Sequence, residues 1–402
     1  MRPLDDIFVV DLSRILSGPI CTMMLADMGA EVIKVEPPPL GDDSRLWGPP
    51  FVGGISTYFH SINRNKKSLG LNLRTEAGRR ILWQLIDRAD VLIENFKPGV
   101  LGKLGFGYPA VSERRPGLVY CSISGFGQTG PYRSRPGYDV VAQGESGLMD
   151  LTGFPEGPPA RVGTSISDIV TGMFATQGIL LALLARVRSG KGQWLDISLL
   201  DSTVATLTYQ AQVYLMTGRV PRRMGTRHPS IVPYECFQVK DGFVNIGVTN
   251  QKQWAAFCEE LGLQDVMEDP RFCSTDARLT NYEQLKPILD RALQGLTRSE
   301  VLQRLYAAEI PAGPINSVAE ILEDPQIDAR EMIRELTHPE YGPIRVLGIP
   351  IKMSETPGMV EGAPAYFGEH NRPVLQMLGY SDEEITRFSN DGTLAGRKEE
   401  KI

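Results

Sequence analysis

With 402 residues, 42% of them hydrophobic and 22% charged, the chain has the size of roughly two or three domains and the composition of a soluble globular protein. A net charge of −6 argues against nucleic acid as the main partner, so a small molecule is expected instead. Five cysteines without a CxxC, and four histidines without an HxxxH or HxxEH pattern, exclude a disulfide frame and a zinc site and suit reduced thiols in a cytoplasm.

The first residues carry Asp5, Asp6 and Asp11 and so lack the apolar run of a signal peptide; they are also unlike an Arg-rich transit peptide. Phe8 to Leu12 reads as a strand, followed by a loop holding Ser17, Gly18 and Pro19, a helix from Ile20 to Met28 and a strand from Glu31 to Val35. The pattern recurs in a helix over Glu76 to Ala89 and in strands over Val91 to Glu94 and Leu118 to Ser124. Apolar strands alternating with amphipathic helices predict an α/β fold with a parallel sheet covered on both faces, and ligands at the carboxyl ends of its strands. The loops to watch are therefore Ser13–Pro19, Pro37–Trp47, Asn95–Leu104 and Gly125–Tyr138.

Two features of these segments compete for a phosphate. Asn63 to Ser68 is a basic run that reads as solvated surface. Its alternative is phosphate contact, to which Arg74, Lys97 and Lys103 would add charge. Gly125-Phe126-Gly127-Gln128-Thr129-Gly130 matches a dinucleotide fingerprint in form only. Pro131, Arg133, Pro136 and Gly137 follow where a helix N-terminus would be needed.

Asp168 stands at the head of a helix pattern from Ile169 to Arg188 that is apolar apart from Thr171, Thr176 and Gln177, and a strand from Trp194 to Leu199 follows. Such a helix is expected to be buried in a core rather than to span a membrane. Two roles fit the aspartate: a helix N-cap, or a nucleophile whose attack on an acyl carbonyl would be helped by helix-terminal N–H groups. Local pattern leaves both open.

Asp201 to Gly218 is helical, and Arg219 to Pro233 reads as a linker. Strands over Tyr234–Val239 and Phe243–Val248 flank an Asp-Gly turn, and helices follow over Gln251–Leu261, Tyr282–Leu293 and Arg298–Ala308. Met332 to Met353 reads as a hairpin turning at Pro339–Gly342. Helices near Arg372–Leu378 and Asp382–Phe388 close the fold, and the tail from Asn390 is expected to fray.

Five stretches in order, Asp11–Pro19 (DLSRILSGP), Gly29–Glu36 (GAEVIKVE), Asn65–Ser68 (NKKS), Glu94–Gly99 (ENFKPG) and Ser167–Met173 (SDIVTGM), resemble the class III, formyl-CoA transferase-like CoA-transferases of the CaiB/BaiF type. The resemblance covers nearly the whole chain. It implies a Rossmann-like large domain formed from both chain ends (1–205 and 321–402), a linker (206–233), a smaller α+β domain (234–320) and an interlocked, ring-like homodimer. It also implies a CoA thioester and a small carboxylic acid as substrates, with no tightly bound cofactor.

By that resemblance Asp168 is the nucleophile, forming first a mixed anhydride and then an aspartyl-CoA thioester. Ile15, Leu71, Arg74, Asn95, Phe96, Lys103, Leu104 and Arg135 match CoA-contacting positions. Pro37 replaces an arginine of formyl-CoA transferase, and Pro136 replaces a lysine with Arg135 beside it. Arg45–Val52 (RLWGPPFV) and Gly225–Tyr234 (GTRHPSIVPY) are similar to the succinyl-CoA:glutarate CoA-transferase branch, which implies a short dicarboxylate acceptor. Arg45, Trp47, Tyr58, Tyr138, Asp139 and His228 are then the acceptor-site candidates, with Arg45, Arg64, Arg227 and His228 the cations for a distal carboxylate and His228 preferred. The competing functions are an α-methylacyl-CoA racemase-like isomerase, in which Tyr138 stands where racemases carry a histidine, intramolecular CoA transfer, and CoA or nucleotide binding without catalysis.

Overall fold

A computed structural model describes residues 1–52, 54–338 and 342–397. The chain forms two compact units, one of Met1–Leu148, Arg161–Ala211 and Pro325–Ile402, the other of Met149–Ala160 and Gln212–Asp324. The first is built on six parallel strands, β1 (Phe8–Asp11), β2 (Glu31–Glu36), β3 (Lys66–Gly70), β4 (Val91–Glu94), β5 (Val119–Ser124) and β6 (Trp194–Ser198), in the order β3-β2-β1-β4-β5-β6. Strand pleating sends neighbours to opposite faces, so Val9 and Val10 enter separate apolar clusters. That is why the central strands are apolar throughout.

On one face lies helix α2 (Glu76–Ile86), capped by Thr75 and burying Ile81, Leu82, Leu85 and Ile86 at helical spacing. On the other lie α1 (Ser17–Asp27) and, after the short α3 (Asp139–Glu145), the long α4 (Ile166–Ser189). Contrary to expectation, α4 is buried on one face only. Its small residues Thr171, Gly172 and Ala175, with Ile179, face inward, while Leu181 is 58% and Val187 83% exposed. Gly172 is needed where α4 meets α1, since a Cβ there would stand 2.3 Å from Ile20 and 2.7 Å from the Ser17 carbonyl oxygen. Gly190, at φ +69°, ends the helix.

The basic run is neither solvated nor open to phosphate along most of its length. Lys66–Gly70 is a strand, Arg64 donates to both oxygens of Asp27 at 2.9 and 2.6 Å, and Lys66 donates to Asn63 at 2.9 Å and the Pro19 carbonyl at 2.8 Å. Only Lys67 is exposed in this strand, paired with Glu31. The tail also differs from expectation: Leu394 bridges Leu71, and the Ala395 and Arg397 amides donate to Gly70 and Phe367. Residues 398–402 lie outside the described residues. The late hairpin pairs Ile333–His338 with Gly342–Leu347, and its turn residues Pro339, Glu340 and Tyr341 lie outside the described residues too.

In the second unit Tyr234–Val239, Gly242–Gly247 and Ala312–Pro314 form an antiparallel three-stranded sheet. Helices Gln251–Glu260, Tyr282–Leu293 and Arg298–Ala307 close over it with Phe237, Trp254, Phe257, Leu289 and Leu305 in one core.

Candidate active site

The strand order reverses direction between β1 and β4, so their loops part and leave a crevice at the carboxyl ends of the strands, where open α/β sheets bind ligands. A cavity of about 400 Å³ lies there, walled by Arg14–Ser17 after β1, Asn95–Pro98 after β4, Ser124 and Gly125 after β5, Arg135–Tyr138 ahead of α3, and Asp168. Gly125 and Gly137 make the wall thin. A Cβ on Gly125 would lie 2.7 Å from the Gly137 Cα. After Gly125 no helix begins before Asp139, so helix N–H groups are missing where the fingerprint would need them.

The two crevice loops are tied together. Asn95 accepts the Arg14 N–H at 2.8 Å and donates to the Arg14 carbonyl at 2.7 Å. Ile15 follows with φ +72°, an outlier for a β-branched residue that costs on the order of 1–3 kcal/mol and recurs at functional sites. Phe96 takes its place in the wall because the buried Glu94 carboxyl accepts its N–H at 2.8 Å. Burial pushes Glu94 up to about 7, against its bonds to Ser122 and Phe96.

Asp168 is the third residue of α4, and the N-cap position belongs to Ser165, which makes no side-chain cap bond. The cap role therefore does not hold. The Ser17 hydroxyl beside it favours its charged form, but the Asp168 pKa is pushed up to about 7, by burial first and then by the negative charge of Asp139. Among the described residues no cation pairs with it. Asp139 is itself occupied, accepting the Ser167 N–H at 2.9 Å and Gln143 at 2.8 Å, so it acts on Asp168 through charge rather than as an open substrate contact. Tyr58 packs edge-on against Trp47 at 5.1 Å; burial and then the Asp168 charge raise its hydroxyl to about 12.

Of the residues singled out in the sequence, Ile15, Asn95, Phe96, Arg135, Tyr138 and Asp168 share the cavity wall. Arg135 lies over Phe126 at 4.7 Å and Tyr132 at 4.5 Å and pairs with Glu145. Lys103 ends the short helix Val100–Lys103 that follows this loop and Leu104 caps it, Arg74 is exposed after β3, and the Leu71 side chain is buried in the core. Arg45 is spent elsewhere: it grips Glu36 through two 2.7 Å bonds, stacks on Phe59 at 3.8 Å and donates to Ala365. Arg64 is likewise committed to Asp27. Arg227 and His228 belong to the second unit, Arg227 over Tyr282 at 3.5 Å and His228 accepting the Ser230 N–H at 3.1 Å.

Ser17 and Asp42 received no role from the sequence. A Ser-Gly-Pro after the first strand marks a helix start at a ligand-binding crevice, which is the signal that points to Ser17. Asp42 gives no such signal, because its partners Ile15 and Lys34 come to it only through sheet formation.

A helix-terminal carboxylate with no counter-ion among the described residues, in a crevice with room for an extended ligand, is equipped for acyl chemistry. The family model described as CoA-transferase family III matches residues 4–371. The chain belongs to CoA-transferase family III. It is 41% identical to the succinyl-CoA:glutarate CoA-transferase of Mus musculus, over 98% of this chain and 91% of that protein. It is 42% identical to the acetyl-CoA:oxalate CoA-transferase of Acetobacter aceti, over 90% of this chain and 92% of that one. A CaiB/BaiF family protein from Brucella suis has a similar structure, with a TM-score of 0.85 and 41% identity over 94% of this chain and 99% of its own. The family III protein described here is thus a CoA-transferase, and CoA thioesters are the substrates of its class.

Proposed function

We propose that this CoA-transferase moves CoA from succinyl-CoA, or a similar acyl-CoA, to a short dicarboxylic acid such as glutarate or itaconate, with Asp168 as nucleophile. The observation that carries the proposal is the Asp168 carboxyl at the crevice, freed from capping and without a paired cation. Its oxygen attacks the thioester carbonyl, the C–S bond breaks, and CoA leaves as thiolate. The thiolate then attacks the Asp168 carbonyl of the mixed anhydride, breaking its C–O bond, releasing the donor acid and leaving an aspartyl-CoA thioester. The acceptor carboxylate reverses both steps. The first-turn N–H groups of α1 and α4 favour the oxyanions formed on the way.

The acids differ between relatives named for glutarate and for oxalate, and a dicarboxylate acceptor requires a cation. His228 is our choice to receive the distal carboxylate, on the resemblance of Gly225–Tyr234 to the succinyl-CoA:glutarate branch. The exposed apolar face of α4 suits a second copy of the chain, and we propose an interlocked homodimer as the working form, to be read by light scattering after gel filtration.

The chemistry is tested by intact-protein mass spectrometry after incubation with succinyl-CoA, followed by hydroxylamine. The proposal expects an adduct mapped to Asp168, removed by hydroxylamine and missing from Asp168→Asn. A folded parent without an adduct, or an equally active Asp168→Asn, contradicts it.

A further inference from the structure

The loop between β1 and α1 is held by Asn95 in the cavity wall and, behind it, by buried groups that do not line the cavity. The Ser13 amide and hydroxyl donate to Asp11 at 2.8 and 2.5 Å, and the Ser13 carbonyl accepts from Lys34 Nζ at 2.8 Å. Asn95 takes both backbone groups of Arg14. The Ile15 N–H then donates to both oxygens of Asp42, at 3.1 and 3.2 Å. Asp42 is fully buried, ion-paired to Lys34 at 2.8 Å, and also accepts the Ser44 N–H at 2.9 Å. Lys34 thus joins the start of the loop to the carboxylate that holds its strained residue.

A buried ion pair is a poor device for stability alone, since apolar residues of similar volume are often as good or better. What apolar residues cannot do is accept the N–H of a residue held at positive φ, or donate to the Ser13 carbonyl. Two residues beyond Ile15 stands Ser17, which shares the cavity wall with Asp168, and Gly172 lets the Ser17 backbone lie directly against α4.

The geometry points to Asp42, carried by Lys34, as a positioning residue for the Asp168 reaction: by fixing Ile15 in the left-handed conformation it sets where Ser17 and the first turn of α1 stand against the Asp168 carboxylate. This rests on Asp168 being the nucleophile. Asp42 does not reach the reacting atoms and acts through Ile15 alone.

Two charge-neutral double variants separate this role from simple support of the fold. Lys34→Met with Asp42→Asn keeps an acceptor oxygen for the Ile15 N–H; Lys34→Met with Asp42→Leu does not, and Asp42→Ala replaces it if the leucine cannot be packed. Neither leaves a buried unpaired charge. The rate of the hydroxylamine-sensitive adduct in a single turnover with succinyl-CoA is measured beside succinyl-CoA affinity and the unfolding midpoint. The asparagine pair is expected to form the adduct at least about tenfold faster than the apolar pair, with affinities within about threefold and similar midpoints. Equal rates in the two pairs, or a rate loss that follows lost affinity or lost stability, overturn the positioning role while the parent's adduct still stands. A parent that forms no adduct on Asp168 overturns the nucleophile and this role together.

Discussion

Two aspartates at the carboxyl end of the same sheet have opposite treatment. Asp42 is fully buried, yet Lys34 and the Ser44 bonds outweigh the burial that would raise its carboxyl and hold it down to about 2. Asp168 has no cation among the described residues, sits near Asp139, and is pushed up to about 7. On the proposed mechanism, the carboxylate that holds backbone is given a counter-ion and the one that attacks is left without. The raised basicity would then make Asp168 a stronger nucleophile at the expense of stability.

The comparison is broken most completely at its reactive end. Asp168→Asn should lose CoA transfer by on the order of 10³-fold or more while binding succinyl-CoA, as measured by turnover and by calorimetric titration. The same variant should be more stable than the parent at pH 8. Because the folded pKa of Asp168 is raised from an ordinary 3.8, the folded chain keeps a proton between pH 4 and 7 that the unfolded chain has lost. Ionising Asp168 therefore lowers stability as pH rises through that window. Asp168→Asn should recover about 1–3 kcal/mol above pH 7 and nothing below pH 4, read from unfolding midpoints across pH.

At the paired end, Lys34→Met alone leaves Asp42 buried without its cation and should lower stability by about 3–5 kcal/mol in chemical denaturation. Smaller changes sharpen the comparison. Asp139→Asn keeps an acceptor for the Ser167 N–H but removes the charge that raises Asp168, so the ascending limb of kcat/KM against pH should move down by about half a unit to one unit. Ser17→Ala removes a hydroxyl that favours the charged form, so the limb should move up by about half a unit, with only a few-fold change in turnover at pH 8. Glu94 also titrates near pH 7 but responds to Asp196 rather than Asp139, which makes the Asp139→Asn shift diagnostic of Asp168.

Much of the frame was legible before any coordinates, because strands such as Val91–Glu94 and helices such as Tyr282–Leu293 declare themselves by local periodicity and by their turns. The unread parts depend on partners distant in sequence. Nothing near Arg64 and Lys66 announces that Asp27 and the Pro19 carbonyl will receive them, and a basic run on its own looks like solvated surface. The tail beyond Asn390 looks polar until the edge strand β3 offers backbone groups to Ala395. Asp168 was recognisable as a junction residue, but the cap reading fell only because the helix starts at Ile166, three residues before the expected Ile169. Ile15 at positive φ was beyond reach, since an isoleucine is among the last residues that composition would assign to that conformation.

The account is tested most directly by the rate of adduct formation on Asp168 at sub-saturating succinyl-CoA from pH 5 to 9, which reports the free enzyme. An adduct confined to Asp168, with a rate that rises through about pH 7 and then levels off, is the predicted result. A rate that is flat over the whole range, or an adduct on any other residue, would contradict it.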